Sequence, residues 1–94
     1  MRESRLESYL RDRCMSKGIL CLKNTGTKGV PDRQLIYHGV VYFVELKTPR
    51  GKLSMSQRSM IAKLRTQSIT AHVVIDRNDI DRVINQLIEE VDNA

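Results

Sequence analysis

The stretch Val40-Val41-Tyr42-Phe43-Val44 is apolar throughout, and it runs directly into Glu45-Leu46-Lys47. On an extended strand side chains alternate faces, so Glu45 and Lys47 share one face while Val44 and Leu46 share the other. An acid and an amine on the face of a largely apolar strand are costly to bury unless they pair or hold an ion. That strand must therefore sit in a sheet that either covers the two charges usefully or presents them at a site. Upstream, Gly29-Val30-Pro31-Asp32 supplies a second carboxylate just before another strand-forming run, Gln34 to Tyr37.

The residues between these runs, His38 and Gly39, suit a tight turn, so residues 34–37 and 40–47 are predicted to form a hairpin. Antiparallel pairing about that turn places Asp32 opposite the region of residues 45 to 47. Two carboxylates within a few ångströms repel unless they share a proton or a cation, and hard oxygen ligands suit Mg²⁺ or Mn²⁺. Lys47, on the Glu45 face, can orient or help deprotonate a water while offsetting charge on a phosphate. Asp32, Glu45 and Lys47 are thus a candidate hydrolytic set.

The rest of the chain reads as alternating helices and strands. Leu6, Tyr9, Leu10 and Cys14 recur at helical spacing between Glu3 and about Lys17, with Gly18 at the expected end. Ile19 to Lys23 reads as a short strand, followed by the polar loop 24–29. Ser54 and Gln57 have the spacing of a capping box, opening a helix to about Gln67 with Met60, Ile61 and Leu64 on its apolar face. Thr70 to Asp76 is β-branched and strand-like. Asn78 is the expected N-cap of a last helix carrying Ile80, Val83, Ile84, Leu87, Ile88 and Val91 on one stripe. The fold class is α/β in the order α-β-β-β-α-β-α. Residues 40–47 and 70–76, joined through a helix, are expected to run parallel, which makes the central sheet mixed and flanked by helices.

Length sets one bound: 94 residues fit a single domain over 1–94. No apolar run approaches the roughly 20 residues that span a bilayer, and Met1-Arg2-Glu3-Ser4-Arg5 has no apolar secretory core behind it, so an intracellular protein is expected. Cys14 and Cys21 lack metal-ligand spacing. In a reducing compartment they are expected to stay reduced as small, unreactive hydrophobes.

The formal net charge is +5, and its distribution is uneven. Residues 23–65 hold nine basic residues against two acids, while the remainder holds seven against nine. The two acids are Asp32 and Glu45, so carboxylates stand isolated in a positive field. That combination suits phosphate recognition if a divalent cation lies between acid and phosphate. Lys23, Lys28, Arg33, Arg50, Lys52 and Arg58 are the candidate backbone contacts to DNA, Arg33 because it directly follows Asp32. A solvated basic surface with no nucleic-acid role is the alternative for these residues. His38 is expected as an exposed turn residue and His72 as a satisfied core or sheet-face histidine.

Pro31-Asp32 with Glu45-Leu46-Lys47 looks like the PD-(D/E)xK nuclease signature. Together with Gly29-Val30-Pro31-Asp32-Arg33, Lys47-Thr48-Pro49, Gly51-Lys52-Leu53-Ser54 and Gln57, it resembles the VRR-NUC family, the virus-type replication and repair nuclease domain, over nearly the whole chain. The resemblance implies a restriction-endonuclease-like core and divalent-metal phosphodiester hydrolysis. For minimal stand-alone members it also implies homodimers similar to Holliday junction resolvases that prefer branched DNA, and a bacterial or phage source. By the same resemblance Asp32 and Glu45 match metal ligands, Lys47 the catalytic lysine, and Gln57 the glutamine opening the following helix. A helix-one glutamate belongs to the pattern. Glu3 and Glu7 share a face, and Glu7, beside Leu6 and Leu10, is favoured as the third ligand. Gln57 can serve as capping partner of Ser54, as a site residue, or as both.

Two further readings stand beside a metal-dependent endonuclease. One is a non-catalytic nucleic-acid-binding module or a nuclease-like subunit acting through a partner. The other, a restriction enzyme, needs extra elements for base readout that this length does not supply. Few aromatics are available to stack single-stranded bases, so duplex binding is expected.

Overall fold

A computed structural model describes residues 2–94. In chain order the elements are α1 (Glu3–Ser16), β1 (Leu20–Lys23), β2 (Arg33–Tyr37), β3 (Val40–Leu46), α2 (Met55–Thr66), β4 (Thr70–Val74) and α3 (Arg77–Asp92). The α-β-β-β-α-β-α order is the one expected from the sequence. One four-stranded sheet is ordered β1-β2-β3-β4, antiparallel across β1, β2 and β3 and parallel between β3 and β4.

Local chemistry sets most boundaries. Gly18, at φ +72°, ends α1 in the left-handed region. The Ile19 N–H then donates to the Cys14 carbonyl at 2.9 Å and the Gly18 N–H to the Met15 carbonyl, the double closure of a Schellman turn. His38 and Gly39 both have positive φ between the paired residues Tyr37 and Val40, which is the two-residue hairpin turn whose twist matches the strands. At α2, Ser54 and Gln57 form the full capping box.

The start of α3 differs from expectation. Asp76, not Asn78, is the N-cap: its carboxylate accepts from the Asp79 N–H at 2.8 Å, and the Asp79 carboxylate accepts from the Ile75 N–H at 3.0 Å. Strand β4 stops at Val74, and this reciprocal pair lets the helix begin immediately after it.

One sheet face is covered by α1 and α3, which bury Leu6, Leu10 and Cys14 from the first helix and Ile80, Val83, Ile84 and Leu87 from the last against Leu35, Tyr42, Val44, Leu46 and Val74. Asp81 of α3 ties the two helices together by accepting from the Tyr9 hydroxyl at 2.7 Å and pairing with Arg13. On the other face α2 packs over β4, where Ile61 and Ala71 are buried. That helix does not reach the β1 edge, and Leu20 and Leu22 are left 54% and 41% exposed. No helix among the described residues is long and apolar enough to cross a membrane.

Candidate active site

The hairpin register pairs Arg33 with Val44, so the next position outward sets Asp32 against Glu45. Both lie at the sheet end where parallel strands β3 and β4 finish, the end at which open α/β sheets gather ligands. Asp32 is held there by three contacts. Its Oδ2 accepts the Leu46 N–H at 3.2 Å, its backbone carbonyl accepts the Asn24 N–H at 2.7 Å, and the Asn24 side-chain amide donates to the Pro31 carbonyl at 2.9 Å. Gln34 in turn donates to the Asn24 side-chain oxygen at 2.8 Å. The sequence marks Asn24 only as part of a polar loop. Its position directly after an edge strand was the available signal, since a short amide there can stand in for missing ladder partners.

Glu45 is 2% exposed. Its Oε2 is within 3.6 Å of the Lys47 ammonium and accepts from the Gln57 side-chain amide at 3.1 Å. Its Oε1 is buried with no hydrogen-bond partner. Burial first, and then the Asp32 carboxylate beside it, push the Glu45 pKa up to about 7, with Lys47 pulling the other way. Gln57 fills both roles left open by the sequence: its Oε1 accepts the Ser54 N–H at 2.8 Å to complete the cap while its amide nitrogen holds Glu45.

Glu7 lines a cleft of about 300 Å³ with Glu3, Ser4, Lys23, Asp32 and Leu46. Its carboxylate is engaged, however, by the Arg33 guanidinium. Arg33 was expected at the DNA surface because it follows Asp32. Instead it is 6% exposed and turned inward onto α1, because β2 alternates and its odd positions face the helices. Lys23, Lys28, Arg50, Lys52 and Arg58 are all exposed. Lys23 ends β1 at the cleft, Lys28 lies in loop 24–29, Arg50 and Lys52 in the β3–α2 loop, and Arg58 in the first turns of α2.

Gly29 joins two of these segments. A Cβ there would stand 2.4 Å from the Ser56 carbonyl oxygen, and φ is +86°. Only glycine lets loop 24–29 lie against the start of α2. His38 is exposed in its turn, as expected. His72 lies on the sheet face, but its Nε2 is buried with no hydrogen-bond partner, so the expectation of a satisfied ring is corrected: β4 pairs its backbone, and no side chain completes a hydrogen bond to that nitrogen.

Among the described residues no group of three or more His, Cys, Asp or Glu side chains is gathered for a metal. The Asp32–Glu45 pair nevertheless fits a hard divalent cation, because it offers two carboxylates and one buried oxygen that lacks any donor. Such a cation takes its remaining ligands readily from water and phosphate.

A mixed sheet flanked by helices, with paired carboxylates and a lysine at the end of its parallel strands, defines a nuclease-like α/β core. The chain is similar to a solved structure described as a VRR_NUC domain, with a TM-score of 0.78 and 29% identity, over 88% of this chain and 94% of that one. The resemblance to the VRR-NUC family is thereby borne out, and the chain is a nuclease-like domain of that fold. No family model matches the chain, and no curated protein does.

Proposed function

We propose that this protein is a metal-dependent DNA endonuclease that hydrolyses phosphodiester bonds in branched duplexes such as four-way junctions. The observation that carries this reading is Glu45: a buried carboxylate with one free oxygen, set beside Asp32 and within 3.6 Å of the Lys47 ammonium. Asp32 and Glu45 would hold Mg²⁺ or Mn²⁺, with Glu7 reaching it only on release from Arg33. The ion, when bound, supplies Lewis-acid polarisation of the scissile phosphate and a lowered pKa for its water.

The protein's own side chains do the rest. Lys47 orients the attacking water and offsets charge growing on the phosphate, while Gln57 holds Glu45 in place beside Lys47. Lys23, Lys28, Arg50, Lys52 and Arg58 grip backbone phosphates on either side, which gives affinity without sequence choice. A homodimer would bring two such clefts to a symmetric junction. The uncovered apolar strip of Leu20 and Leu22 on the β1 edge supports that assembly. An intracellular location accords with the substrate.

The test is incubation of the purified protein with a four-way junction and with linear duplex of the same sequence, in Mg²⁺ or Mn²⁺. Junction cleavage is expected, with Asp32→Ala and Lys47→Ala inactive but folded. Tight junction binding with no cleavage in either metal would overturn the hydrolytic reading in favour of a non-catalytic DNA-binding module. Sedimentation at micromolar concentration is expected to show a dimer, and a monomer with or without junction would remove that part.

A further inference from the structure

The two cysteines are seven positions apart in sequence and face each other in the fold. Cys14 projects from α1 into the core and is fully buried. Cys21 lies on the β1 face that meets α1, paired in register with Leu35 and packed against the same core. Both side chains thus meet one core cluster in the space where α1 packs on β1. Cys21 is only partly buried and opens into a surface cleft of about 270 Å³ lined by Arg11, Met15, Ile19 and Leu20. A third group flanks them: the register pairs Arg33 with Lys23, which makes it a diagonal neighbour of Cys21 on the same sheet face, and Arg33 is 6% exposed with no hydrogen-bond partner for its Nε–H.

We propose that Cys14 and Cys21 are a peroxide-oxidisable dithiol, with Cys21 the attacking sulfur and Cys14 the resolving one. Each part of the site has a chemical reason. A small neutral oxidant reaches Cys21 through the cleft and cannot reach Cys14 directly. The diagonal Arg33 sets positive charge near Cys21, which favours the thiolate. Consistent with this, the neighbouring Cys14 thiol, followed by the charge of Arg33, brings the Cys21 thiol down to about 7 against the opposing effect of burial, while Cys14 is pushed up.

The step balances. The Cys21 thiolate attacks one oxygen of hydrogen peroxide, the O–O bond breaks, and hydroxide leaves to take up a proton, so that Cys21 becomes a sulfenic acid. The Cys14 sulfur then attacks the Cys21 sulfur, and the S–O bond breaks. The hydroxyl departs as water with the Cys14 proton. Two thiols lose two protons and two electrons, and one peroxide becomes two waters. The product staples the last turn of α1 to β1. The proposal departs from the expectation that both cysteines are unreactive, and it stands independently of the nuclease reading.

The experiment treats the reduced full-length protein with hydrogen peroxide and follows intact mass, free thiol and mobility on a non-reducing gel. The expected result is loss of two hydrogens and of both thiols, within one chain, reversed by dithiothreitol. Cys21→Ser abolishes the change, and Cys14→Ser leaves a sulfenic acid on Cys21 that dimedone traps. Because Cys14 is in the core, wild-type protein is also alkylated briefly with iodoacetamide, and the first adduct is expected on Cys21. Persistence of both thiols under peroxide that consumes free cysteine completely would overturn the proposal. So would disulfides formed only between chains, or a first adduct on Cys14.

Discussion

The Gln57 side chain bridges a helix cap and a buried acid, accepting from the Ser54 N–H through Oε1 while donating to Glu45 Oε2 at 3.1 Å. One residue thus couples the start of α2 to the candidate metal site. Gln57→Glu retains the acceptor for Ser54 but turns a donor toward Glu45 into a like charge. We predict a stability loss of no more than about 1 kcal/mol and a fall in junction cleavage of about tenfold or more, equivalent to about 1.4 kcal/mol in the barrier. Parallel urea melts and single-turnover cleavage check it; equal cleavage by both proteins would sever the coupling.

Arg33 distinguishes a buried ion pair from a DNA contact. Removing it as Arg33→Ala takes away a buried side chain and leaves the part-exposed Glu7 unpaired, which should destabilise the protein by about 1–3 kcal/mol. A surface phosphate contact would instead leave stability unchanged and lower the salt dependence of DNA binding by about one counterion. Denaturant unfolding and salt titration of DNA affinity separate the two. Lys52→Ala, at an exposed position, is expected to show the second pattern.

Gly29→Ala should be among the most damaging surface-loop substitutions in the chain. The added methyl would lie 2.4 Å from the Ser56 carbonyl oxygen at a positive φ of +86°, so loop 24–29 must move away from α2. A loss of about 1–3 kcal/mol is expected from strain of this kind. Gly26→Ala is a useful comparison, since a Cβ there meets nothing within 4 Å and only the conformational cost remains. Thermal melts of the two variants decide the ranking.

His72 sets a stability change with pH. Burial first, then the charge of Arg65, lower its pKa below the ordinary 6.5. The unfolded chain therefore takes up a proton at a pH where the folded ring has not, and the folded state holds fewer protons. The associated stability is present above pH 6.5 and is lost as pH falls from 6.5 through the lowered value. Glu45, held up at about 7, contributes stability of the opposite sign over the same fall in pH, so the His72 share is read as a difference: between about pH 7.5 and about pH 5.5 the melting temperature of His72→Leu should rise relative to that of the wild type. An unchanged slope in the variant would assign the effect to other groups.

The order of elements, the hairpin about His38 and Gly39, the Ser54–Gln57 cap and the facing of Asp32 with Glu45 were all legible in the sequence. Each depends on periodicity or on contacts a few residues from a turn, and such geometry is set by neighbours along the chain. Tertiary structure decided the rest. The Arg33–Glu7 pair spans 26 residues, and whether an arginine meets solvent or a helix depends on where α1 lies across the sheet. The same placement of α1 on β1 sets Cys14 and Cys21 at one core cluster, while the reach of α2 decides that Leu20 and Leu22 stay uncovered. Side chains of one composition can end buried or exposed, and only the packing of elements distant in sequence selects between the two.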